Sequence, residues 1–111
     1  MKDKLFIDEV ITPDLYENLA GQTAIFPKEK ALEYLALGMT SEAGEVAGKV
    51  KKNIRDGTES NVASEIGDVL WYCAMLANEL GVNLGKIMEK NLEKLNDRKQ
   101  RGTLQGSGDT R

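Results

Sequence analysis

Proline is absent from a long central part of this chain. The 111-residue sequence contains Pro13 and Pro27 but no proline between residues 28 and 101. That segment is rich in Ala, Leu, Glu and Lys, which have high helix propensities, whereas proline inside a helix costs about 3 kcal/mol. The total length corresponds to one compact domain. The sequence therefore predicts a single all-α domain.

Turn residues and apolar spacing divide the chain into about four helices. Thr12 and Pro13 are typical of a helix start, Gly57 of a turn and Gly81 of a helix end, and Asn83 is a candidate N-cap. Apolar residues recur at steps of three and four in each segment after Pro27: Leu32, Leu35, Met39, Val46 and Val50; Val62, Ile66, Val69, Cys73, Leu76 and Leu80; and Leu84, Ile87, Met88, Leu92 and Leu95. Short links between such helices favour a small antiparallel bundle over residues 1–101, which a partner subunit could complete.

The last ten residues have a different composition from the helical part. Residues 102–111 contain three glycines and almost no apolar side chains. Burial of this segment cannot offset the entropy lost on ordering it. We therefore expect a flexible C-terminal tail, which could close over a substrate.

Composition also excludes several classes of function. Histidine is absent, which rules out Ser-His-Asp and Cys-His nucleophiles and the Glu-x-x-His ligands of di-iron bundles. A lone cysteine, Cys73, fits a reducing, cytoplasmic setting. No apolar run reaches the roughly 18 residues that span a membrane, and a net charge of −3 does not indicate a nucleic-acid polymer as partner.

Two pairs of acidic residues border the apolar stripes of neighbouring helices. Glu42 and Glu45 are three residues apart, as are Glu65 and Asp68, so each pair lies on one helix face. If the two helices pack antiparallel, the four carboxylates converge. Two like charges about 4 Å apart repel by roughly 4 kcal/mol at an effective dielectric constant of 20. The pattern therefore predicts a site for a hard divalent cation such as magnesium, manganese or calcium.

Each of these signals has a simpler interpretation. The acidic residues could form exposed ion pairs with Lys49, Lys51 or Lys52. Trp71 and Tyr72 could stack on a base or belong to the core. The remaining polar candidates are Asn91, which could bind phosphate or a buried neighbour, and Lys94, Arg98 and Arg101, which could face an anion or offset the helix dipole.

Several sequence motifs resemble those of MazG-like nucleotide pyrophosphohydrolases. The family pattern is Glu-Glu-x-x-Glu, a linker and Glu-x-x-Asp, which matches Ser41-Glu42-Ala43-Gly44-Glu45 and Glu65-Ile66-Gly67-Asp68. The similarity extends over most of the chain and includes Arg55-Asp56-Gly57, Gly67-Asp68-Val69-Leu70-Trp71-Tyr72 and Arg101-Gly102. The sequence departs from the pattern at Ser41, which replaces the first glutamate.

The resemblance implies an all-α enzyme that hydrolyses nucleoside triphosphates between the α and β phosphates. It implies that Glu42, Glu45, Glu65 and Asp68 bind Mg²⁺ or Mn²⁺, with Glu42 and Glu45 also acting in catalysis. The resemblance also implies that Lys49, Lys52, Asn91, Lys94 and Arg98 lie near the phosphates. Trp71 and Tyr72, which follow Asp68 closely, are the residues expected to stack on the base. The resemblance further implies a homodimer or homotetramer.

Two other functions are compatible with the same residues. The substrate could be a guanosine polyphosphate alarmone, which carries similar phosphates on a similar base. Alternatively, the chain could be a non-catalytic interaction module whose acidic groove binds a basic partner helix. No residue pattern identifies the preferred base or sugar.

Overall fold

Four helices follow one another in the computed structural model, which describes residues 9–111. They are α1 (Pro13–Gly21), α2 (Ala31–Asp56), α3 (Ala63–Glu79) and α4 (Leu84–Gln100), and a 3-10 turn at Lys28–Lys30 precedes α2. Residues 9–111 contain no strand, and the predicted all-α fold is confirmed. None of the described helices is both long and apolar enough to cross a membrane. Residues 1–8 of the predicted domain lie outside the described part.

The sequence signals for helix ends agree with the structure at three places. The Thr12 hydroxyl accepts a hydrogen bond from the Leu15 N–H at 3.1 Å, and Pro13 is the first residue of α1. Gly57 ends α2 at φ 67°, and Gly81 follows α3 at φ 73°. Both glycines adopt left-handed backbone angles that close a helix and that other residues adopt at a cost.

Helices α2 and α3 form an antiparallel hairpin. Gly38, early in α2, faces Tyr72, whereas Lys49, eleven residues later, faces Glu65 near the start of α3, so the position on one helix rises as that on the other falls. Met39 also contacts Cys73. At Gly38 the ring of Tyr72 occupies the space that a Cβ atom would need. The absence of a side chain at this position therefore allows the two helices to approach closely.

The short helix α1 packs against both α3 and α4, whereas α2 and α4 do not contact each other. Its side chains cap α4: the Glu17 carboxylate accepts the Leu84 N–H at 2.8 Å, and the Asp14 carboxylate accepts the Gly85 N–H at 3.1 Å. Asn83, the predicted cap, makes no capping hydrogen bond with its side chain. Carboxylates supplied by another helix replace it, because they satisfy the same free N–H groups and the positive end of the helix dipole.

The buried core is smaller than the apolar stripes of the sequence suggest. It is built from Ala20, Leu35, Ala74, Met75 and Leu84. Several residues of the predicted stripes are instead exposed, among them Leu32 (49%), Ile66 (58%), Leu80 (58%) and Leu92 (66%). Periodicity identifies an apolar face but does not show what covers it. The radius of gyration, 17.1 Å, also exceeds the roughly 13 Å of a compact chain near this length.

Arginine side chains hold the C-terminal tail in a loop. The Arg111 guanidinium donates hydrogen bonds to the carbonyls of Thr103, Leu104 and Gly108 at 2.7–3.1 Å. Arg101 in turn donates to the Arg111 carbonyl at 2.7 Å. Composition does not reveal these contacts because they involve backbone acceptors and no apolar burial. The boundary at residue 102, the flexibility of the tail and its closure over a substrate stay predictions.

Candidate metal centre

Three carboxylates converge where α2 faces the first turns of α3. Glu42, Glu65 and Asp68 each offer an oxygen, and these oxygens lie within 4.8 Å of one another. Glu65 and Asp68 share a face of α3 because they are three residues apart, and the antiparallel hairpin brings Glu42 opposite them. The chain thus brings together three of the four acidic residues predicted from the sequence.

The electrostatics of this group favour the binding of a proton or a cation. Partial burial raises the pKa of Glu42, and the negative charges of Asp68, Glu65 and Glu45 raise it further. Glu45 contributes to this field, but its carboxylate is not among the three converging groups. Its predicted roles in metal binding and catalysis stay predictions.

Lys49 already neutralises one of these carboxylates. Its ammonium group lies 2.9 Å from the Glu65 carboxylate and donates to the Asn61 carbonyl at 3.0 Å. The ion-pair interpretation is therefore correct for this lysine. Lys52 is exposed and contributes to a lowered pKa of Asp56, behind the larger effect of the Arg55 hydrogen bond.

A cleft of about 340 Å³ adjoins the carboxylates. It is lined by Thr23, Glu42, Asp68, Trp71 and Tyr72. The two aromatic rings meet edge to face, with centroids 5.0 Å apart and planes at 80°. Both aromatic candidates therefore flank the same opening as the acidic residues. A larger cleft of about 520 Å³, between α1 and the α3–α4 turn, contains none of the three converging carboxylates.

Two tyrosines near the carboxylates are held in the neutral form. Burial raises the pKa of Tyr72, and the neighbouring Tyr34 and the charges of Glu42 and Asp68 add to the effect. Burial also raises the pKa of Tyr16, and the charge of Asp68 increases the shift. These phenols therefore add polar groups but no charge at neutral pH.

Thr23 is a cleft residue that sequence reasoning missed. Its hydroxyl accepts a hydrogen bond from the Trp71 indole N–H at 2.8 Å and donates one to the Ala20 carbonyl at 2.8 Å. Thr23 follows α1 and lies 48 positions from Trp71 in the sequence. No local sequence signal marks such a distant pair.

The predicted phosphate contacts on α4 lie apart from this cleft. Asn91 and Lys94 line a groove with Ile87 and Lys90, and no residue of α2 or α3 lines it. Arg98 is buried, and its guanidinium donates to the Asp109 carbonyl at 2.7 Å. The structure therefore does not bring these three residues to the carboxylates, and their role in substrate binding stays a prediction.

Comparison with known proteins supports the motif assignment. The MazG nucleotide pyrophosphohydrolase domain matches residues 30–103, which include all three converging carboxylates. The gene 37 protein of Mycobacterium phage L5 is 45% identical over 111 aligned positions, covering 88% of this chain and 97% of the phage protein. No solved structure matches significantly. The chain therefore belongs to the MazG nucleotide pyrophosphohydrolase family.

Proposed function

We propose that this protein is a magnesium-dependent nucleotide pyrophosphohydrolase that cleaves nucleoside triphosphates to a monophosphate and pyrophosphate. The observation that carries the proposal is the convergence of Glu42, Glu65 and Asp68 beside an aromatic cleft, in a chain of this family. Carboxylates can bind the phosphates of a nucleotide through a shared cation, and aromatic rings can stack on its base. One opening thus offers complementary chemistry to both parts of the substrate.

The donor set fits a hard divalent cation. All three converging groups are oxygen ligands, the type that Mg²⁺ and Mn²⁺ prefer. Burial raises the pKa of Glu42, and the neighbouring negative charges raise it further. Glu42, Glu65 and Asp68 would hold the ion, with Glu45 as a further candidate. A cation held there supplies positive charge to phosphate oxygens.

The side chains of this site can then perform a balanced hydrolysis. Water forms a new P–O bond as the bond between the bridging oxygen and the α or β phosphorus breaks, and a carboxylate accepts the proton of the water. Glu42, which lines the cleft, and Glu45, three residues further along α2, are the proposed acceptors. Lys49 and Lys52 on the same helix would attract the phosphates.

We further propose that the chain works as a homodimer or homotetramer. Large apolar side chains are exposed on three helices, including Ile54 (79%), Ile66 (58%) and Leu92 (66%). Apolar patches of this kind mark interaction surfaces. Asn91, Lys94 and Arg98 could reach phosphates only in an assembly or rearrangement that brings α4 to a cleft. Light scattering during size-exclusion chromatography should give a mass at least twice that of the chain.

A panel of nucleotides tests the proposed activity. Ribo- and deoxyribonucleoside triphosphates and a guanosine polyphosphate are incubated with Mg²⁺, with Mn²⁺ or with a chelator, and the products are separated by chromatography. We expect monophosphate and pyrophosphate from the triphosphates only when metal is present. Cleavage of the guanosine polyphosphate alone would instead identify an alarmone hydrolase.

Variants connect this activity to the three carboxylates. Glu42→Ala and Asp68→Ala should each lower kcat at least about 100-fold, a loss typical of removing a group that stabilises the transition state. Circular dichroism should show unchanged helix content. Glu59→Ala, an exposed residue in the link between α2 and α3, is the matched control and should keep full activity. Full activity in both cleft variants would refute the proposal, and no cleavage of any nucleotide would favour the interaction module.

A further inference from the structure

We infer that Thr23 is a positioning residue for Trp71, which it holds as a rigid wall against which the base of the substrate stacks. The inference rests on the proposed function for the identity of the ligand. The orientation of the indole itself rests on geometry alone. Thr23 would thus act in base binding although it lies outside α2 and α3, the helices that carry the carboxylates.

A chain of two hydrogen bonds fixes the indole of Trp71. The Trp71 N–H donates to the Thr23 hydroxyl at 2.8 Å, and that hydroxyl donates to the Ala20 carbonyl at 2.8 Å. Ala20 is a buried residue of α1, so this series of hydrogen bonds ends on the backbone of the core. Two hydrogen bonds in series therefore connect the half-buried indole to the core.

The indole lies next to the carboxylates. Trp71 is one helical turn after Asp68, so their side chains are neighbours on one face of α3. Thr23, Trp71 and Asp68 line the same cleft. A ligand that places phosphates at the carboxylates can therefore direct the ring at its other end toward Trp71.

The hydrogen bonds of the indole limit what this wall can recognise. The indole N–H and the hydroxyl proton of Thr23 are both donated within the protein, so neither is free to donate to a base. The Trp71 face then contributes stacking, which every base can provide. We therefore expect this wall to bind purines and pyrimidines by their rings and to discriminate weakly between them.

Fluorescence tests the positioning role directly, because Trp71 is the only tryptophan of the chain. Thr23→Val replaces the hydroxyl by a methyl group of similar size, and Thr23→Ser keeps the hydroxyl. We expect Thr23→Val to shift the emission maximum and lower the anisotropy of Trp71, and Thr23→Ser to restore both. Thr40→Val is the matched control, since the Thr40 hydroxyl donates only to the Ala36 carbonyl of its own helix.

Kinetics tests the consequence for the substrate. Thr23→Val should raise KM for nucleoside triphosphates about fivefold, the equivalent of one lost neutral hydrogen bond, with little change in kcat. KM for inorganic triphosphate, which has no base, should not change. The effect on KM should be similar for purine and pyrimidine nucleotides.

The two readouts separate this inference from the proposed function. If the wild-type protein cleaves no nucleotide, the proposed function fails, while the fluorescence comparison still decides whether Thr23 orients the indole. Wild-type emission in Thr23→Val, or equal changes in Thr23→Val and Thr23→Ser, would overturn the positioning role. An equal rise in KM for inorganic triphosphate would overturn the role in base binding.

Discussion

The ammonium group of Lys49 lies 2.9 Å from the carboxylate of Glu65, one of the three acidic residues that we propose as a metal centre. The pair is only partly exposed, with side-chain accessibilities of 32% for Lys49 and 15% for Glu65. A positive charge thus contacts one of the three carboxylates that would hold a divalent cation. It relieves part of the repulsion among the carboxylates when no metal is bound, and it opposes a second positive charge.

Replacing Lys49 by methionine should therefore have opposite effects on stability and on metal affinity. In the absence of metal, we expect Lys49→Met to lower the free energy of unfolding by about 0.2–1 kcal/mol, the range measured for exposed ion pairs. We also expect this variant to bind Mn²⁺ more tightly than the wild type. Urea unfolding and calorimetric titration measure the two quantities. Lys49→Arg keeps the charge and should resemble the wild type in both. An unchanged Mn²⁺ affinity in Lys49→Met would show that Lys49 does not compete with the ion.

The raised pKa of Glu42 predicts a specific dependence of stability on pH. Burial and the neighbouring carboxylates raise this pKa above the ordinary value of 4.5, so the folded protein binds the proton more tightly than the unfolded chain. The metal-free wild type should gain stability relative to Glu42→Gln as the pH falls through the raised pKa. The gain is complete below pH 4.5, and at neutral pH the glutamine variant should be the more stable protein.

Thermal unfolding of the two proteins between about pH 4 and pH 8 in a chelating buffer measures this difference. Asp56 has a lowered pKa because of its hydrogen bond to Arg55, so its contribution to stability is lost at still lower pH. That contribution is the same in both proteins and cancels in the comparison. A constant difference in Tm across the range would contradict the prediction.

The caps that α1 supplies to α4 should contribute measurably to stability. Glu17→Ala removes the acceptor of the Leu84 N–H, and loss of a helix cap typically costs about 1 kcal/mol. Glu17→Gln keeps an acceptor but loses the charge at the helix end, so it should cost less. Urea midpoints measure both effects, with Glu59→Ala as the control. Equal stability of Glu17→Ala and wild type would show that water replaces the cap without cost.

Two glycines of α2 should respond oppositely to the same substitution. At Gly38 a Cβ atom would overlap the Tyr72 ring, and overpacking of this kind typically costs about 1–3 kcal/mol, more than the roughly 1 kcal/mol that alanine gains in helix propensity. At Gly44 a Cβ atom would have no neighbour within 4 Å, so Gly44→Ala should stabilise the helix. Chemical unfolding of both variants tests the pair. If Gly44→Ala instead lowered stability at high protein concentration, the surface around Gly44 would lie between subunits.

The sequence predicts the helices and most of the carboxylate group because both depend on local spacing. Glu65 and Asp68 share a face through their three-residue separation, and the short link after Gly57 makes the opposing position of Glu42 predictable. Lys49 is a candidate partner for the acidic residues on similar grounds. The convergence of these groups therefore follows from helix periodicity and one turn.

The remaining features depend on contacts between distant segments. Local sequence predicts neither the Glu17 cap on α4 nor the hydrogen bond between Thr23 and Trp71. No pattern around these residues marks them as partners of a distant segment. The exposed Ile66 and Leu92 show the same limit, because an apolar period does not identify the surface that will cover it. The separation of α4 from α2 is likewise a property of the tertiary structure, which the positions of basic residues along α4 do not reveal.

Helix α1 has only nine residues, fewer than an isolated helix needs to persist in water, yet it fastens the start of α4 and, just past its own end, the indole of the cleft. Local unfolding of this shortest α-helix would therefore disturb both α4 and the cleft. Hydrogen–deuterium exchange should show that the first amides of α4 exchange together with those of α1, while the α2–α3 hairpin stays protected. Local unfolding would then disrupt base binding by Trp71 before it disrupts the arrangement of the carboxylates.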